Sequence, residues 1–210
     1  MADWATISAL ATAGGTLILA VATFASVRSA NRAARTAERS LMVGLRPVLM
    51  PSRLEDPPQK VMFVDQRWLV APAGGAAAEV GDGAVYMAMS VRNAGSGIAV
   101  LQAWRHYPDM VRGDVMHGDP DTYHLLTRDI YVAPNDVGFW QGALRDPASD
   151  EFAAARGAIE SRQVMSLELL YTDHEGGQRT ISRFMLVPRD DGRWLASVSK
   201  HWNLDTPGPR

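Results

Sequence analysis

The sequence contains no cysteine. Disulfide bonds and thiolate nucleophiles are therefore excluded, and a nucleophilic enzyme would need a Ser or Thr served by a distant His and carboxylate. The absence fits a reducing compartment. Many exported domains also lack disulfides, however, so cysteine usage alone does not place the chain inside or outside a cell.

Charge is also missing from one long segment, because no charged side chain occurs from Trp4 to Val27. As an α-helix this run covers about 36 Å, enough to cross the roughly 30 Å hydrocarbon core of a bilayer with some tilt. A cleaved signal peptide is disfavoured, because acidic Asp3 stands where positive charge would be expected. A buried helix of a soluble protein would normally show a polar face, which this run lacks. We therefore predict a retained transmembrane segment at residues 1–27.

Positive charge returns at once in four arginines: Arg28, Arg32, Arg35 and Arg39. Positive residues beside a span resist translocation, so they predict a short N-terminus outside and a cytoplasmic C-terminal domain. Trp4 stands where an aromatic anchor would meet the opposite membrane interface. We expect these five residues to set the topology and to contact lipid.

Residues 28–45 are rich in Ala and Arg and predict a juxtamembrane helical stalk. At about 100° per residue the four arginines share one face, and alanines with Leu41 share the other. Three interpretations remain open. The arginine face could lie against anionic lipid, the Ala/Leu face could pack against a second copy of the chain, or the stalk is solvated and its arginines only set the topology. An alanine face buries little apolar area, so it drives lipid insertion or dimerisation weakly.

Short hydrophobic runs replace the helical pattern after Pro47 and predict a β-rich domain over residues 46–203. The expected strands are 48–53, 61–70, 85–92, 98–107, 129–133, 137–143, 163–172, 179–187 and 194–202. Residues 149–162 predict one short helix, the Ala/Gly-rich residues 71–83 a flexible loop, and residues 204–210 a disordered tail. The fold class is therefore mainly β, an antiparallel β-sandwich with one short helix that follows the transmembrane helix and its stalk.

Histidine and aspartate cluster in one segment of the β domain. The candidate ligands of a divalent cation are His106, Asp114, His117, Asp119, Asp121 and His124. Their spacing lacks the Gly and downstream Glu of a calcium loop, and no His-Glu-x-x-His is present. Two interpretations follow, a solvated acidic loop and a metal site of unusual spacing.

No other motif names a reaction. The sequence has no Gly-x-Ser-x-Gly elbow, and the Gly-rich segment at residues 93–97 joins two strands instead of opening a helix as a phosphate loop would. We predict no cofactor. Nucleic-acid binding is disfavoured, because the net charge is -2 and the clustered arginines adjoin the predicted span.

Several short segments carry a resemblance to a known group of proteins. They are Arg46-Pro47, the turn from Ser90 to Ala99, and Tyr171, Asp173 and Gly176. With the order of the parts, they resemble actinobacterial-type bacterial membrane proteins of uncharacterised activity that have one span, an Ala/Arg stalk and an immunoglobulin-like β domain. The stalk here is shorter than in many of them. The resemblance implies fold and location and brings no activity with it.

Two classes of function remain. The first is a membrane-tethered interaction module whose β domain meets a cytoplasmic protein partner. The second is a membrane-tethered enzyme or a ligand or metal sensor that uses residues 106–124. Inverted topology would make the β domain face the cell envelope instead. Homodimerisation through the span and stalk is compatible with each.

Overall fold

The structure, a computed structural model, describes residues 3–112 and 114–205, apart from the side chains of Thr6, Arg39 and Val43. The chain divides between Gly44 and Leu45 into a helical unit and a β-rich unit. Residues 206–210, most of the predicted disordered tail, lie outside the described part. Asp205 is held by Arg179, whose guanidinium Nη2 donates to its Oδ1 at 2.9 Å.

Helix α1, Trp4–Gly44, is unbroken. Hydroxyl groups in its apolar part bond back to the helix, with Thr12 donating to the Ser8 carbonyl at 2.9 Å and Thr16 to the Thr12 carbonyl at 2.8 Å. Such internal bonding is what a polar group needs in an apolar solvent. The helix ends at Gly44, as the glycine and the nearby Pro47 predict.

Helix α1 contains the candidate membrane span of the described chain. By length and composition, Ile7–Met42 could cross a bilayer: an 18-residue window within it has a mean hydropathy of 1.8, and none of that window is buried. Large apolar side chains of this helix are exposed, including Leu10 and Phe24, each 69% exposed. Exposed apolar surface on this scale calls for an apolar environment around the helix.

The β-rich unit confirms the mainly β fold class with one short helix. Its strands are β1 Leu49–Pro51, β2 Gln59–Met62, β3 Trp68–Ala71, β4 Gly75–Gly81, β5 Ala84–Asn93, β6 Ala99–Tyr107, β7 His124–Val132, β8 Val137–Leu144, β9 Met165–Thr172, β10 Thr180–Pro188 and β11 Trp194–Asn203. Helix α2 is Asp150–Glu160, capped by the Ser149 hydroxyl, which accepts from the Phe152 N–H. The strand pairs described are all antiparallel.

One curled sheet builds both layers around the core. Strand β5 pairs with β8 on one side and with β4 and β1 on the other, and the sheet continues through β11, β10, β9 and β6 to β7. The β2–β3 hairpin forms a separate two-stranded sheet. Met87 and Trp140 from one layer and Leu167 and Phe184 from the other share one cluster, and each is 0% exposed.

Three segments differ from the sequence prediction. Strand β7 begins at His124, although the strand was expected to begin at residue 129. Residues 61–70, expected as one strand, turn at Gln66, whose φ of 63° closes the β2–β3 hairpin. Residues 71–83, expected as a flexible loop, contain strand β4. Small residues are required there because a Cβ on Gly75 would lie 2.4 Å from the Trp194 carbonyl oxygen. The Ala/Gly composition reflects close packing instead of disorder.

The segments that carry the resemblance meet where the chain enters the β domain. Buried Asn93 donates to the carbonyls of Gly97 (2.6 Å) and Val132 (3.0 Å) and accepts from the Val48 and Gly95 N–H groups. A Cβ on Gly97 would lie 1.8 Å from the Leu45 carbonyl oxygen, so only glycine allows this approach.

A second set of bonds holds the same corner from β9. The Tyr171 hydroxyl accepts from the Leu49 N–H at 3.2 Å. Arg46 Nε donates to Gln178 Oε1 at 3.1 Å, and the Gln178 amide donates in turn to Asp173 Oδ2 at 3.1 Å. Residues far apart in sequence thereby fix the first residues that follow the helix.

Candidate functional site

The predicted lipid-facing arginines are available for contact. Arg28, Arg32 and Arg35 are exposed, and none of them pairs with an acidic group in the described chain. Arg39 lies on the same helix, but its side chain is outside the described part. Trp4 is 80% exposed at the other end of the apolar run.

The predicted metal ligands are dispersed. His106 is buried beside Met165, with Nε2 3.4 Å from the sulfur, and desolvation by burial lowers its pKa from 6.5 to about 4. His117 contacts the Gly118 carbonyl and the edge of the Trp202 ring. His124 lies against Trp104, ring centroids 4.8 Å apart.

The aspartates of this segment have local roles or face solvent. Asp119 caps a short 3-10 turn, Pro120–Thr122, by accepting from the Asp121 N–H at 3.1 Å. Asp114 and the Asp121 side chain are exposed. Across residues 3–112 and 114–205, no three His, Asp or Glu side chains are grouped to hold a metal ion.

A different carboxylate forms the densest polar cluster, and no sequence motif indicated it. Glu168 on β9 and Arg183 on β10 are both 0% exposed and lie opposite each other in the ladder. Arg183 Nε and Nη2 donate to Glu168 Oε1 at 2.8 and 2.5 Å. Glu168 Oε2 accepts from the hydroxyls of Tyr107 and Tyr123 and from the Gly118 N–H.

Arg183 also hydrogen-bonds to the loop that follows strand β6. Its two terminal nitrogens donate to the carbonyls of Arg112, Val115 and Met116 at 2.9 to 3.0 Å. The Arg183 guanidinium also lies 4.8 Å from the centre of the Trp202 ring. The buried pair therefore fixes the described residues on both sides of position 113.

Burial opposes the charge on Glu168, but the hydrogen bonds from Tyr123, Gly118 and Arg183 hold its pKa below the usual value. Burial and the same carboxylate raise the pKa of Tyr107 to about 12. Both carboxylate oxygens of Glu168 therefore accept from protein donors, two at Oε1 and three at Oε2. Such a site stabilises the fold and leaves no position for a substrate.

A cleft lies between the two end strands of the curled sheet, β7 and β8, and we call it the β7–β8 cleft. Its volume is about 130 Å³. Strand β7 contributes residues 124–128 and Ile130, strand β8 contributes Gln141, Gly142 and Ala143, and Phe63, Val64, Trp104 and Arg145 complete the lining. Near the loop that connects them, β7 and β8 approach each other closely, because a Cβ on Gly138 would lie 2.7 Å from the Val132 side chain.

Long-range pairing creates this cleft. In the β6–β7 ladder, Leu101 lies opposite Ile130 and Ala103 opposite Leu125, so Gln102 alone faces residues 126–129. The bulge directs this part of β7 away from regular pairing. A bulge set by distant partners leaves no mark in the local sequence, which is why sequence reasoning missed the site.

Polar groups in the cleft are incompletely satisfied. Gln141 is 7% exposed, and its buried Oε1 has no hydrogen-bond partner in the part of the chain described. Arg128 is exposed and makes no hydrogen bond or ion pair with the residues described. Arg145 lies 3.6 Å from Asp65, whose carboxylate also accepts from the Tyr86 hydroxyl, and its guanidinium lies over the Tyr86 ring at 5.9 Å.

A second cavity, about 280 Å³, lies beside Trp194 and the 72–75 segment. Two of its three charged side chains are paired, because Asp191 accepts from Arg193 at 2.6 Å, while Arg189 has no ion pair in the described residues. The buried side-chain atoms without partners in the described residues include none from its lining. Its chemistry gives no indication of a polar ligand.

The exposed face of the β2–β3 hairpin carries Lys60 opposite Val70 and is otherwise apolar, and we call its apolar residues the hairpin patch. It consists of Met62 (45% exposed), Val64 (77%), Trp68 (57%) and Val70 (53%). The other strand tryptophans are buried, as expected for core packing, whereas Trp68 faces solvent. Val64 belongs to both the patch and the β7–β8 cleft.

No protein-family model matches the chain, and no curated protein matches it significantly.

Proposed function

We propose that the chain is a single-pass membrane protein whose β domain is a cytoplasmic protein-interaction module. The observation that carries the proposal is helix α1, in which an exposed, uncharged segment passes directly into exposed arginines without a break. Asymmetry of positive charge is the main determinant of orientation for a short flanked span. It favours the N-terminus outside and the β domain inside.

The β domain supports an interaction role through its surface. The hairpin patch exposes four large apolar side chains, and Met62 and Trp68 lie opposite each other in its ladder. Contiguous exposed apolar surface on a folded domain marks sites of protein contact, and tryptophan is enriched among the residues that dominate binding energy. The densest buried polar cluster, around Glu168, is occupied by the protein's own donors, so it does not favour an enzyme.

Topology is the first test. A reporter active only in the cytoplasm and one active only outside are each fused after Arg210. The cytoplasmic fusion should be active and the external one silent. A second variant transfers positive charge from the C-terminal to the N-terminal side of the span. In it, Arg28, Arg32 and Arg35 are changed to Ser, and three arginines are inserted after Asp3. Because orientation follows Lys/Arg asymmetry, this variant should invert the two signals.

The matched control changes Arg53, Arg67 and Arg156 to Ser, which removes equal charge from the exposed β domain. It should leave topology unchanged. An external signal from the natural sequence would overturn the proposed orientation and make the β domain an envelope module. Activity from both fusions at similar levels would contradict a single defined orientation.

Partner contact is tested separately on the hairpin patch. Trp68→Ala should reduce binding of a cytoplasmic partner by roughly 30-fold, since an anchor residue of this kind contributes about 2 kcal/mol. Leu195→Ala, on β11 outside the hairpin patch and 39% exposed, is the control. If both variants retain natural binding, the hairpin patch is not the contact surface.

A further inference from the structure

Three features of the β7–β8 cleft are not required by the fold: its unpaired strand walls, a buried amide and the arginines in its lining. The two strands that form its walls end the sheet and pair with each other nowhere in the described chain. The Gln141 amide lines the cleft, and its Nε2 makes no hydrogen bond with the residues described. Its N–H groups are therefore free to donate to an acceptor on a ligand, such as a carboxylate.

The lining of the cleft contains Arg128 and Arg145 and no acidic residue. Two carboxylates lie beside the lining, Glu151 at 2.8 Å from His124 and Asp65 at 3.6 Å from Arg145. Arg145 also lies over the Tyr86 ring, whereas Arg128 is unpaired within the described residues. Two guanidinium groups beside an amide are suited to a carboxylate, which accepts several hydrogen bonds at once.

The volume decides the size of the occupant. About 130 Å³ is close to the roughly 150 Å³ that holds a single benzene-sized group, and it is well below the roughly 300 Å³ at which pockets for whole metabolites begin. The cleft therefore accepts one side chain. At its rim, Val64 (77% exposed) and Leu125 (80%) supply apolar contacts for the residues on either side.

We propose that the β7–β8 cleft binds one Asp or Glu side chain carried by an extended, apolar-flanked segment of a partner protein. The inference rests on the proposed function as an interaction module and names the feature of the partner that the module recognises. The carboxylate meets Arg128 and Arg145, the Gln141 amide completes its hydrogen bonds, and flanking apolar residues contact Val64 and Leu125.

The chemistry is tested with the full chain in lipid nanodiscs, isotope-labelled for NMR. The probes are two capped peptides, acetyl-Val-Thr-Val-Glu-Val-Thr-Val-amide and the same peptide with Gln in place of Glu. The Glu peptide should shift the Gln141 side-chain amide and the Leu125 methyl signals. The Gln peptide should bind at least about tenfold more weakly, because it cannot form charge-assisted bonds.

Variants of the protein then test whether Arg128 binds the Glu side chain of the peptide. Arg128→Gln should weaken the Glu peptide about tenfold and leave the Gln peptide unchanged. Arg156→Gln, which removes an equally exposed arginine on α2, should change neither. Equal binding of both peptides, or no shift at Gln141 at about 10 mM peptide, would overturn the proposal. Free succinate that binds more tightly than the Glu peptide would assign the cleft to a small acid and overturn it as well.

An experiment in cells separates the two proposals. A photo-crosslinking benzoylphenylalanine is placed at Leu125, on the cleft rim, or at Leu54, which is 77% exposed and lines the other cavity. The Leu125 position should capture a partner peptide that contains Asp or Glu, and Arg128→Gln should abolish that capture. Crosslinks that survive Arg128→Gln or form only at Leu54 would reject the cleft and keep the interaction module. Crosslinks at neither position would reject the cleft, and the interaction module would then be decided by Trp68→Ala at the hairpin patch.

Discussion

Two buried polar residues of this domain have opposite surroundings. Glu168 accepts from Arg183, two tyrosines and a backbone N–H, so its carboxylate is fully occupied. Gln141 is nearly as buried, yet its oxygen has no partner in the described residues. Burial alone therefore does not mark a functional site. A satisfied carboxylate stabilises the fold, whereas an amide whose N–H groups are unused beside a cleft can donate to a ligand.

The largest expected effect comes from breaking the satisfied cluster. Arg183→Met should destabilise the full chain by about 3–5 kcal/mol, because it leaves the Glu168 charge buried without its counter-ion and three carbonyls without donors. Chemical unfolding in detergent, followed by tryptophan fluorescence, measures the loss. Arg156→Met breaks an exposed pair and should cost under about 1 kcal/mol. Similar losses for both variants would contradict the structural role of the cluster.

Acid should destabilise the domain through His106. Its pKa in the folded chain, about 4, lies below the unfolded value of 6.5, so the unfolded state binds more protons between these pH values. Stability therefore falls as pH drops from about 6.5 to 4, by roughly 3 kcal/mol. Unfolding curves at several pH values test this. His106→Leu should flatten that dependence, and an unchanged pH profile in this variant would assign the effect to other groups.

Two residues of the same strand offer a closer comparison. Asn93 makes hydrogen bonds to two carbonyls and two N–H groups, whereas the Ser90 hydroxyl is buried without a partner in the chain as described. Asn93→Ala should cost about 2 kcal/mol, and Ser90→Ala should cost little or nothing. Thermal unfolding compares the two. A larger loss for Ser90→Ala would reverse the interpretation of satisfied and unsatisfied groups.

The smallest effect on stability is expected at the cleft. Gln141→Leu removes an unpartnered amide at nearly constant volume, so it should leave the unfolding free energy unchanged or raise it by up to about 1 kcal/mol. The same variant should weaken binding of the Glu peptide described above. A loss of stability above about 2 kcal/mol would show that the Gln141 amide has a structural partner in solution.

Much of the architecture follows from local sequence. The uncharged run and the Gly44/Pro47 signals predict helix α1 and its end, and alternating patterns predict the β9–β10–β11 meander, whose turns at Gly176 and Gly192 have positive φ. The meander also contained the signal for Glu168 and Arg183. A hairpin centred on residues 175–176 places them opposite each other, and charged residues in otherwise apolar strands indicate a buried pair.

Other features depend on contacts that local patterns do not encode. The alanines of β4 read as a flexible loop because their packing against Trp194 is invisible in a short window. The first half of β7 was missed because its pairing shifts at Gln102. The predicted metal ligands share a segment of sequence, but strands and turns direct their side chains to different surroundings. Membrane orientation and the resemblance to actinobacterial-type proteins stay predictions.

The corner around Asn93 also has a mechanical consequence. A protein held in a bilayer by one helix receives any pulling force through the residues that follow that helix. Here the first of those residues, Arg46 to Leu49, are bonded to Asn93 on β5, to Tyr171 on β9 and to Gln178 in the loop between β9 and β10. The load is therefore divided among several bonds that must break together, instead of unzipping the three-residue strand β1 one pair at a time.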